Sequence, residues 1–446
     1  MQKPNWKGRI MMAFHLKGAN VPHRKNTEGM SAVRMPTPQT VTIPTVMHIG
    51  APATPVVKVG DHVDIGTVIA TQNGAVSSYI HASVSGEVSA VSDMLLSNGK
   101  RVPAITIKSD GQDTVSDSVA PPEVTDRDSL IEALKQSGIV GLGGAGFPTY
   151  VKFNTSKPIE VLIINGAECE PYITSDSITM AERADDIAYA IDTLCNHLNI
   201  GKVVIGIENN KPKAIASMKS LAAKDSRVSV KVLPRLYPQG GEMVLIYHTT
   251  GRVVAGGMLP IDVGCVVCNC TTMATIGSYL KTGMPLIEKC ITVDGSAIKE
   301  PKNVIAPIGT TVRDVFEFSG GFKADPAKVL YGGPMMGIAV PDLDAPVLKN
   351  TNALLAFDQS IIKLEKATAC IRCAACANHC PFGINPAFIA KAYKNGDLVT
   401  AEREGVEVCM ECGCCSYVCP AKRPLVQTNR LAKAALRAKK AKEANK

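Results

Sequence analysis

The sequence predicts a multidomain α/β protein with four parts: an N-terminal β-rich unit, a parallel-sheet α/β unit, a second β-rich element and a helical, cysteine-bearing C-terminal unit. Three observations carry this. Residues 48–91 alternate apolar and polar with glycines at turns, strand and helix patterns alternate from 161 to 222, and close-spaced cysteines run from 370 to 419. The chain has 446 residues, more than one core organises, since domains hold about 100–200 residues each. Boundaries are expected at 1–115, 116–285, 286–345 and 346–446.

In the first unit two half-motifs stand out, Val57-Lys-Val-Gly-Asp-His-Val-Asp-Ile-Gly66 and His81-Ala-Ser-Val-Ser-Gly-Glu-Val88. Period-two alternation bounded by glycine reads as short paired strands. The pattern resembles the barrel-sandwich hybrid fold of lipoyl and biotinyl domains. Those carriers present a lysine between their halves. Here the stretch is Thr71-Gln-Asn-Gly-Ala-Val-Ser-Ser-Tyr79, so no swinging arm is expected. Residues 110–122, rich in Ser, Asp, Thr and Pro, read as a linker.

The α/β unit opens on Ser129-Leu-Ile-Glu-Ala-Leu-Lys-Gln136, helical in spacing, with Glu132 three residues after Ser129 as a capping pair. The glycine-rich Gly141-Leu-Gly-Gly-Ala-Gly-Phe-Pro148 follows. Apolar runs at 161–164 and 203–207 then alternate with helical patterns at 185–198 and 213–222, the rhythm of a parallel sheet with covering helices. A second β-rich element at 287–321 holds Ile291-Thr-Val-Asp-Gly-Ser296 and Thr310-Thr-Val-Arg-Asp-Val-Phe316.

Composition narrows the function classes. The longest apolar runs are strand-sized, short of the roughly 18–20 residues of a membrane span. Met1–Ala13 lacks the apolar core and cleavage pattern of a secretory leader, so a cytoplasmic location is expected. The net charge of +8 comes largely from residues 430–446, which hold seven basic residues and one acidic. That segment reads as a frayed, solvated helix, and nucleic-acid binding is not expected.

Fifteen cysteines in a reducing compartment read as metal ligation rather than a disulfide frame. Cys370, Cys373, Cys376 and Cys380 repeat the spacing of Cys409, Cys412, Cys415 and Cys419, and a proline follows each fourth cysteine. Two-residue gaps wrap a loop around three corners of an iron–sulfur cubane, while the fourth cysteine, opening a helix, ligates the other cluster in two-cluster ferredoxins. One [4Fe–4S] cluster is therefore expected on Cys370, Cys373, Cys376 and Cys419, the other on Cys409, Cys412, Cys415 and Cys380. Zinc ribbons use separated close pairs and leave the third and fourth cysteines without a role. Cys414 reads as a bystander. Cys265, Cys268 and Cys270 read as small packing residues.

Gly141, Gly143 and Gly146 match the dinucleotide fingerprint, but a helical stretch rather than a strand precedes them. Companions follow in order: Lys152, then Asn165-Gly-Ala-Glu168-Cys-Glu170-Pro171, Tyr237-Pro-Gln-Gly-Gly-Glu242 and Val267-Cys-Asn269-Cys-Thr-Thr272. Their order resembles the flavin-bearing, NADH-oxidising subunit of respiratory complex I. A fuller resemblance, over nearly the whole chain, is to the C subunit of the Rnf complex. That family adds the Lys17-Gly-Ala-Asn-Val-Pro-His23 segment, the barrel-sandwich hybrid, a soluble-ligand-binding β-grasp (SLBB) element and a two-cluster ferredoxin-like domain.

The resemblance implies a Rossmann-like domain for flavin mononucleotide (FMN) and NADH. Its cofactor-binding residues would be Gly141, Gly143, Gly144, Gly146, Phe147, Lys152, Asn165, Glu168, Glu170, Tyr237, Gly240, Gly241, Glu242, Asn269 and Thr272. The Gly143–Gly146 amides can approach the phosphate and Lys152 can neutralise it, while Asn165 and Asn269 offer amide groups to the ring or ribityl chain. Glu168, Glu170 and Glu242 would contact the nicotinamide nucleotide, and Phe147 its adenine. The complex I subunit has paired asparagines where this chain has Cys268-Asn269.

The implied protein is the NADH-oxidising peripheral subunit of a membrane-bound, ion-translocating NADH:ferredoxin oxidoreductase on the cytoplasmic face. Its partners would be the iron–sulfur B subunit, the membrane subunits and, indirectly, ferredoxin. No side-chain acid or base is required. The alternatives are a cobalamin reductase of metabolic microcompartments and an electron-transfer scaffold without NADH activity.

Overall fold

A computed structural model describes residues 17–444 apart from 98 and 364. The stretch behind the leader reading, Met1–Ala13, lies outside them. In the N-terminal unit, Thr40–Pro44, Arg101–Ser109, Gly86–Leu95 and His62–Val63 form an antiparallel sheet in that order, beside a three-stranded sheet of Thr54–Pro55, Val68–Thr71 and Ile80–His81. Register pairs Val41 with Ile107 and Ile43 with Ile105, and all four are fully buried. Thr42 and Thr106 face each other on the opposite side, with their hydroxyls 3.2 Å apart. Period two thus sets the core face. Between the halves Ser77 and Ser78 are buried, and Ser78 Oγ donates to the Gly138 carbonyl at 3.1 Å. The end of the stretch that a carrier domain would display is thus packed against the next domain, while residues 73–75 are exposed.

The stretch at 110–122 is mostly exposed but pinned at two points. Val115 bridges Ile65, and Gly283 lies so close to Ala120 that an added Cβ would meet its carbonyl oxygen at 2.0 Å. The helix Arg127–Gln136 starts before Glu132 could cap it: Asp126 is the N-cap, and Ser129 closes the capping box.

Four parallel strands follow in the order Val228–Leu233, Val203–Glu208, Val161–Gly166 and Cys265–Asn269. The run Val161–Ile164 is buried throughout, as expected of a sheet covered on both faces. Strand order reverses between Val161–Gly166 and Cys265–Asn269, which puts Asn165 directly opposite Asn269. Ligands of open α/β sheets bind at such a switch point, beyond the carboxyl ends of the strands. The helices Ala184–Leu198 and Cys270–Thr282 pack closely, because a Cβ on Gly277 would sit 1.9 Å from the Asp186 carbonyl oxygen. Cys265 packs in the core on one face of the sheet, while Cys268 and Cys270 belong to the core on the other.

The second β-rich element is a six-stranded sheet in the order Ala32–Arg34, Lys302–Pro307, Glu288–Asp294, Ala353–Phe357, Lys328–Tyr331 and Ile338–Ala339. It draws its edge strand Ala32–Arg34 from the N-terminal segment and Ala353–Phe357 from beyond residue 345. The second half-motif of this element is not a strand: Thr311 caps the helix Val312–Phe318, accepting from Asp314 N at 3.0 Å.

In the C-terminal unit the third cysteine of each run lies within a single helical turn, Ala375–Asn378 or Cys414–Tyr417. The longer helices, Pro386–Lys394 and Leu425–Ala444, begin only after the fourth. The fourth cysteine therefore ends a turn rather than opening a helix. The basic tail is not frayed. Ala432 and Leu436 are buried, and Lys440 pairs with Glu402 at 2.6 Å and Glu407 at 2.8 Å. Arg430 bonds Glu411 at 2.9 Å. No helix among the described residues is long and apolar enough to cross a membrane.

Candidate functional site

The glycine-rich segment is an excursion between Val140 and Pro148, which form an antiparallel bridge. It departs from the strand–loop–helix fingerprint, since the helix after it, Thr149–Phe153, has only five residues. The loop is closed by Gly141 N donating to the Phe147 carbonyl at 2.8 Å and Leu142 N donating to Thr272 Oγ1 at 3.0 Å. The amides of Gly143, Gly144, Ala145, Gly146 and Phe147 have no protein acceptor among the described residues, and residues 143–145 are exposed. Successive free amides in a concave turn form an anion nest. Gly146 has φ +71°, a left-handed conformation that side chains resist.

Lys152, Asn165, Glu242 and Asn269 come together beside this loop at the switch point. Lys152 Nζ donates to Glu242 Oε1 at 3.0 Å and to the Val267 carbonyl at 2.9 Å. Asn269 caps Cys270–Thr282, its Oδ1 accepting from Thr271 N and Thr272 N, while its Nδ2 donates to Asp176 Oδ2 at 2.7 Å. A Cβ on Gly143 would lie 2.4 Å from Asn269 Nδ2, so glycine is required for this approach. Asn165 Nδ2 donates to the Gly240 carbonyl at 2.9 Å and ties the strand end to the 237–242 loop. The donor set suits a phosphorylated ligand such as FMN: a nest of amides, one ammonium and a wall of small residues.

Glu168, Glu170 and Tyr237 lie in a second, buried group, organised by Lys25 from the N-terminal segment. Lys25 Nζ donates to the carbonyls of Glu168 and Glu170, each at 3.1 Å, and to that of Ile173. Its ammonium thus gathers a turn in which Glu168 and Tyr172 have positive φ. The Glu168 carboxylate accepts from Asp176 N at 2.7 Å and lies 3.8 Å from Lys25 Nζ. Burial pushes the Glu168 pKa up against the attraction of Lys25, and pulls that of Lys25 down. The Glu170 carboxylate accepts from Met335 N at 3.0 Å and Met336 N at 2.8 Å, and burial outweighs these bonds to push its pKa up to about 7. Glu168 keeps its buried Oε2 without a hydrogen bond, whereas Glu242, bonded to Lys152, is 42% exposed.

Tyr237 links this group to the cysteine loops: its hydroxyl donates to the Cys412 carbonyl at 2.7 Å. Cys414 Sγ donates to the Tyr237 carbonyl at 3.7 Å, which occupies it outside the repeated ligand spacing. Gly241 abuts Met410, and Gly413 abuts the Met335 carbonyl. One pocket is lined by Cys380, Cys409, Cys412, Cys414 and Cys415, although Cys380 belongs to the first run. Cys376 packs in one apolar cluster with Cys419 and Cys415, while Cys370 and Cys373 are exposed. With Cys414 turned to the Tyr237 carbonyl, the other four cysteines of the hollow suit a cubane in the crossed arrangement that the spacing implies. Lys25, Asp176 and Asn350, which bonds the glycine loop, are site residues that the sequence reading missed. Asp176, next to Ser175 at a helix start, carried only a capping signal.

The fold and site together define an iron–sulfur flavoprotein of the electron-transfer class. Family models match in sequence order: RnfC barrel sandwich hybrid domain at 13–112, Nuo51 FMN-binding domain at 134–278, SLBB domain at 290–339 and 4Fe-4S dicluster domain at 362–420. The chain is 42% identical to the C subunit of a proton-translocating ferredoxin:NAD(+) oxidoreductase complex from Clostridium ljungdahlii, over 80% of this chain and 79% of that one. It is 40% identical to the C subunit of a Na(+)-translocating counterpart from Acetobacterium woodii, over 89% and 90%. It is 38% identical to the C subunit of an ion-translocating oxidoreductase complex from Rhodobacter capsulatus, over 96% and 84%. The chain belongs to this family, the C subunits of ion-translocating ferredoxin:NAD(+) oxidoreductase (Rnf) complexes. A solved NAD+-reducing [NiFe]-hydrogenase aligns at 19% identity and a TM-score of 0.47, over 63% of this chain and 54% of that one.

Proposed function

We propose that this chain is the NADH-oxidising, peripheral subunit of its complex, seated on the cytoplasmic face of the membrane and serving the B and membrane subunits, and ferredoxin through them. The reading is carried by the five acceptor-free amides of residues 143–147 beside Lys152, at the switch point of the sheet. FMN, when bound, accepts hydride from NADH and releases electrons singly, matching a two-electron donor to one-electron clusters.

The residues divide the work by position. The 143–147 amides and Lys152 hold the phosphate, while Gly141 and Thr272 set the loop's shape. Asn165 and Asn269 fix the edges of the crevice, and Glu242 is the carboxylate open to the nicotinamide nucleotide, with Phe147 at its adenine. Glu168 and Glu170 serve the nucleotide site through the turn they hold. Gly240 packs against Cys169 and Asn165, Gly241 lets the crevice approach Met410, and Tyr237 joins it to the cluster loop. Cys380, Cys409, Cys412 and Cys415 hold the cluster nearer the flavin; Cys370, Cys373, Cys376 and Cys419 hold the outer one, from which electrons leave to a partner. The domain boundaries proposed are 1–115, 116–285, 286–345 and 346–446, with the strands at 32–34 and 353–357 completing the third.

Anaerobic titration of the flavin-loaded protein with NADH tests the reading. Bleaching of the flavin absorbance within the mixing time is expected. If dithionite bleaches the flavin and NADH does not, the chain is an electron-transfer scaffold instead.

A further inference from the structure

The glycine loop is held from outside its own domain. Asn350 Nδ2 donates to the Gly144 carbonyl at 3.1 Å, from the turn that precedes the strand Ala353–Phe357. Ile49 N, in the barrel-sandwich unit, donates to the Gly146 carbonyl at 3.1 Å. At the root of the loop the Gly138 carbonyl accepts from Lys349 Nζ at 2.7 Å and Ser78 Oγ at 3.1 Å. Lys349 Nζ also donates to the Tyr79 carbonyl at 2.6 Å. Tyr150, just after the loop, donates its hydroxyl to the Ala75 carbonyl at 3.0 Å.

A trans peptide unit is planar, with its C=O and the following N–H pointing to opposite sides. The bond from Asn350 to the Gly144 carbonyl therefore turns the Ala145 N–H away from Asn350. In the same way the bond from Ile49 turns the Phe147 N–H away from the barrel-sandwich unit. Both amides belong to the acceptor-free set. Without outside donors, a glycine-rich loop has many peptide orientations open to it, and fixing each residue costs about 1–2 kcal/mol.

The lysine junction is built to stay closed. Lys349 is 1% exposed, and its hydrogen bonds all go to oxygens of Ser78, Tyr79 and Gly138. Burial lowers its pKa to about 7. Losing one of these partners while the junction stays closed would leave a buried polar group unpaired.

We propose that the barrel-sandwich unit and Asn350 form a brace that pre-orients the loop's amides toward the phosphate of the bound ligand, with Asn350 as a positioning residue for phosphate recognition. This rests on the FMN reading of the same loop. It gives the barrel-sandwich unit, which lacks a carrier lysine between its halves, a task in this chain.

The test titrates full-length protein, clusters in place and flavin removed, with FMN and with riboflavin, following flavin fluorescence. Asn350→Ala removes the donor, and Asn350→Asp replaces it with an acceptor of the same size. In both variants FMN binding is expected to weaken about tenfold, the loss of one hydrogen bond's worth of pre-orientation. Riboflavin, which has no phosphate, binds as in the wild type, and the cluster resonance signals are unchanged. The brace is overturned if both variants keep the wild-type preference for FMN over riboflavin, or if they lose both ligands equally. A wild type that binds FMN and riboflavin alike overturns the phosphate reading itself, and the brace with it.

Discussion

Cys380→Ala is expected to abolish the same paramagnetic signal as Cys409→Ala, and iron falls from about eight to about four per chain. By sequence, Cys380 closes the first cysteine run, yet it lines a pocket with Cys409, Cys412, Cys414 and Cys415 and packs with Cys409 and Met410. Cys376 packs with Cys419 from the second run. Cys419→Ala is therefore expected to remove the signal that Cys376→Ala removes. Iron analysis and electron paramagnetic resonance on the four variants check this. Were each run to hold its own cluster, Cys380→Ala would match Cys376→Ala instead.

Gly143→Ala is expected to weaken FMN binding by about 10- to 100-fold, an overpacking cost of about 1–3 kcal/mol. The added methyl carbon would stand 2.4 Å from Asn269 Nδ2 and 2.8 Å from its Cγ. Asn269 cannot swing aside freely, because its side chain caps a helix and bonds Asp176. The loop must yield instead, and its amides lose their common focus. Gly144 provides the control: a Cβ there meets nothing within 4 Å, so Gly144→Ala should bind FMN more nearly as the wild type does. Fluorescence titration of the two variants side by side measures the difference.

Much of this was legible because the signals are local. A cysteine spacing is fixed by the loop that wraps a cubane, so the ligand runs could be read without the fold. The buried strands at 161–164 and 203–207 announced the parallel sheet. The readings that changed were decided by distant partners. The basic helix looked solvated because Glu402, Glu407 and Glu411, which pair with it, lie on other elements. Thr310–Phe316 is the local exception: its apolar residues 312, 315 and 316 have helical spacing, and Thr311 as N-cap starts the helix. Lys25 is some 140 residues from the carbonyls it gathers, and Asn350 some 200 from Gly144. No periodicity records such pairings.

Electrons passing from the crevice to the clusters would cross where Tyr237 donates to the Cys412 carbonyl. Freeze-quenching the purified, flavin-loaded chain with NADH and recording its paramagnetic resonance tests this most directly. The account predicts reduced-cluster signals within the same interval in which the flavin bleaches, with the signal dependent on Cys380 present. A flavin fully bleached by NADH beside clusters that stay oxidised, although dithionite reduces them, would contradict it.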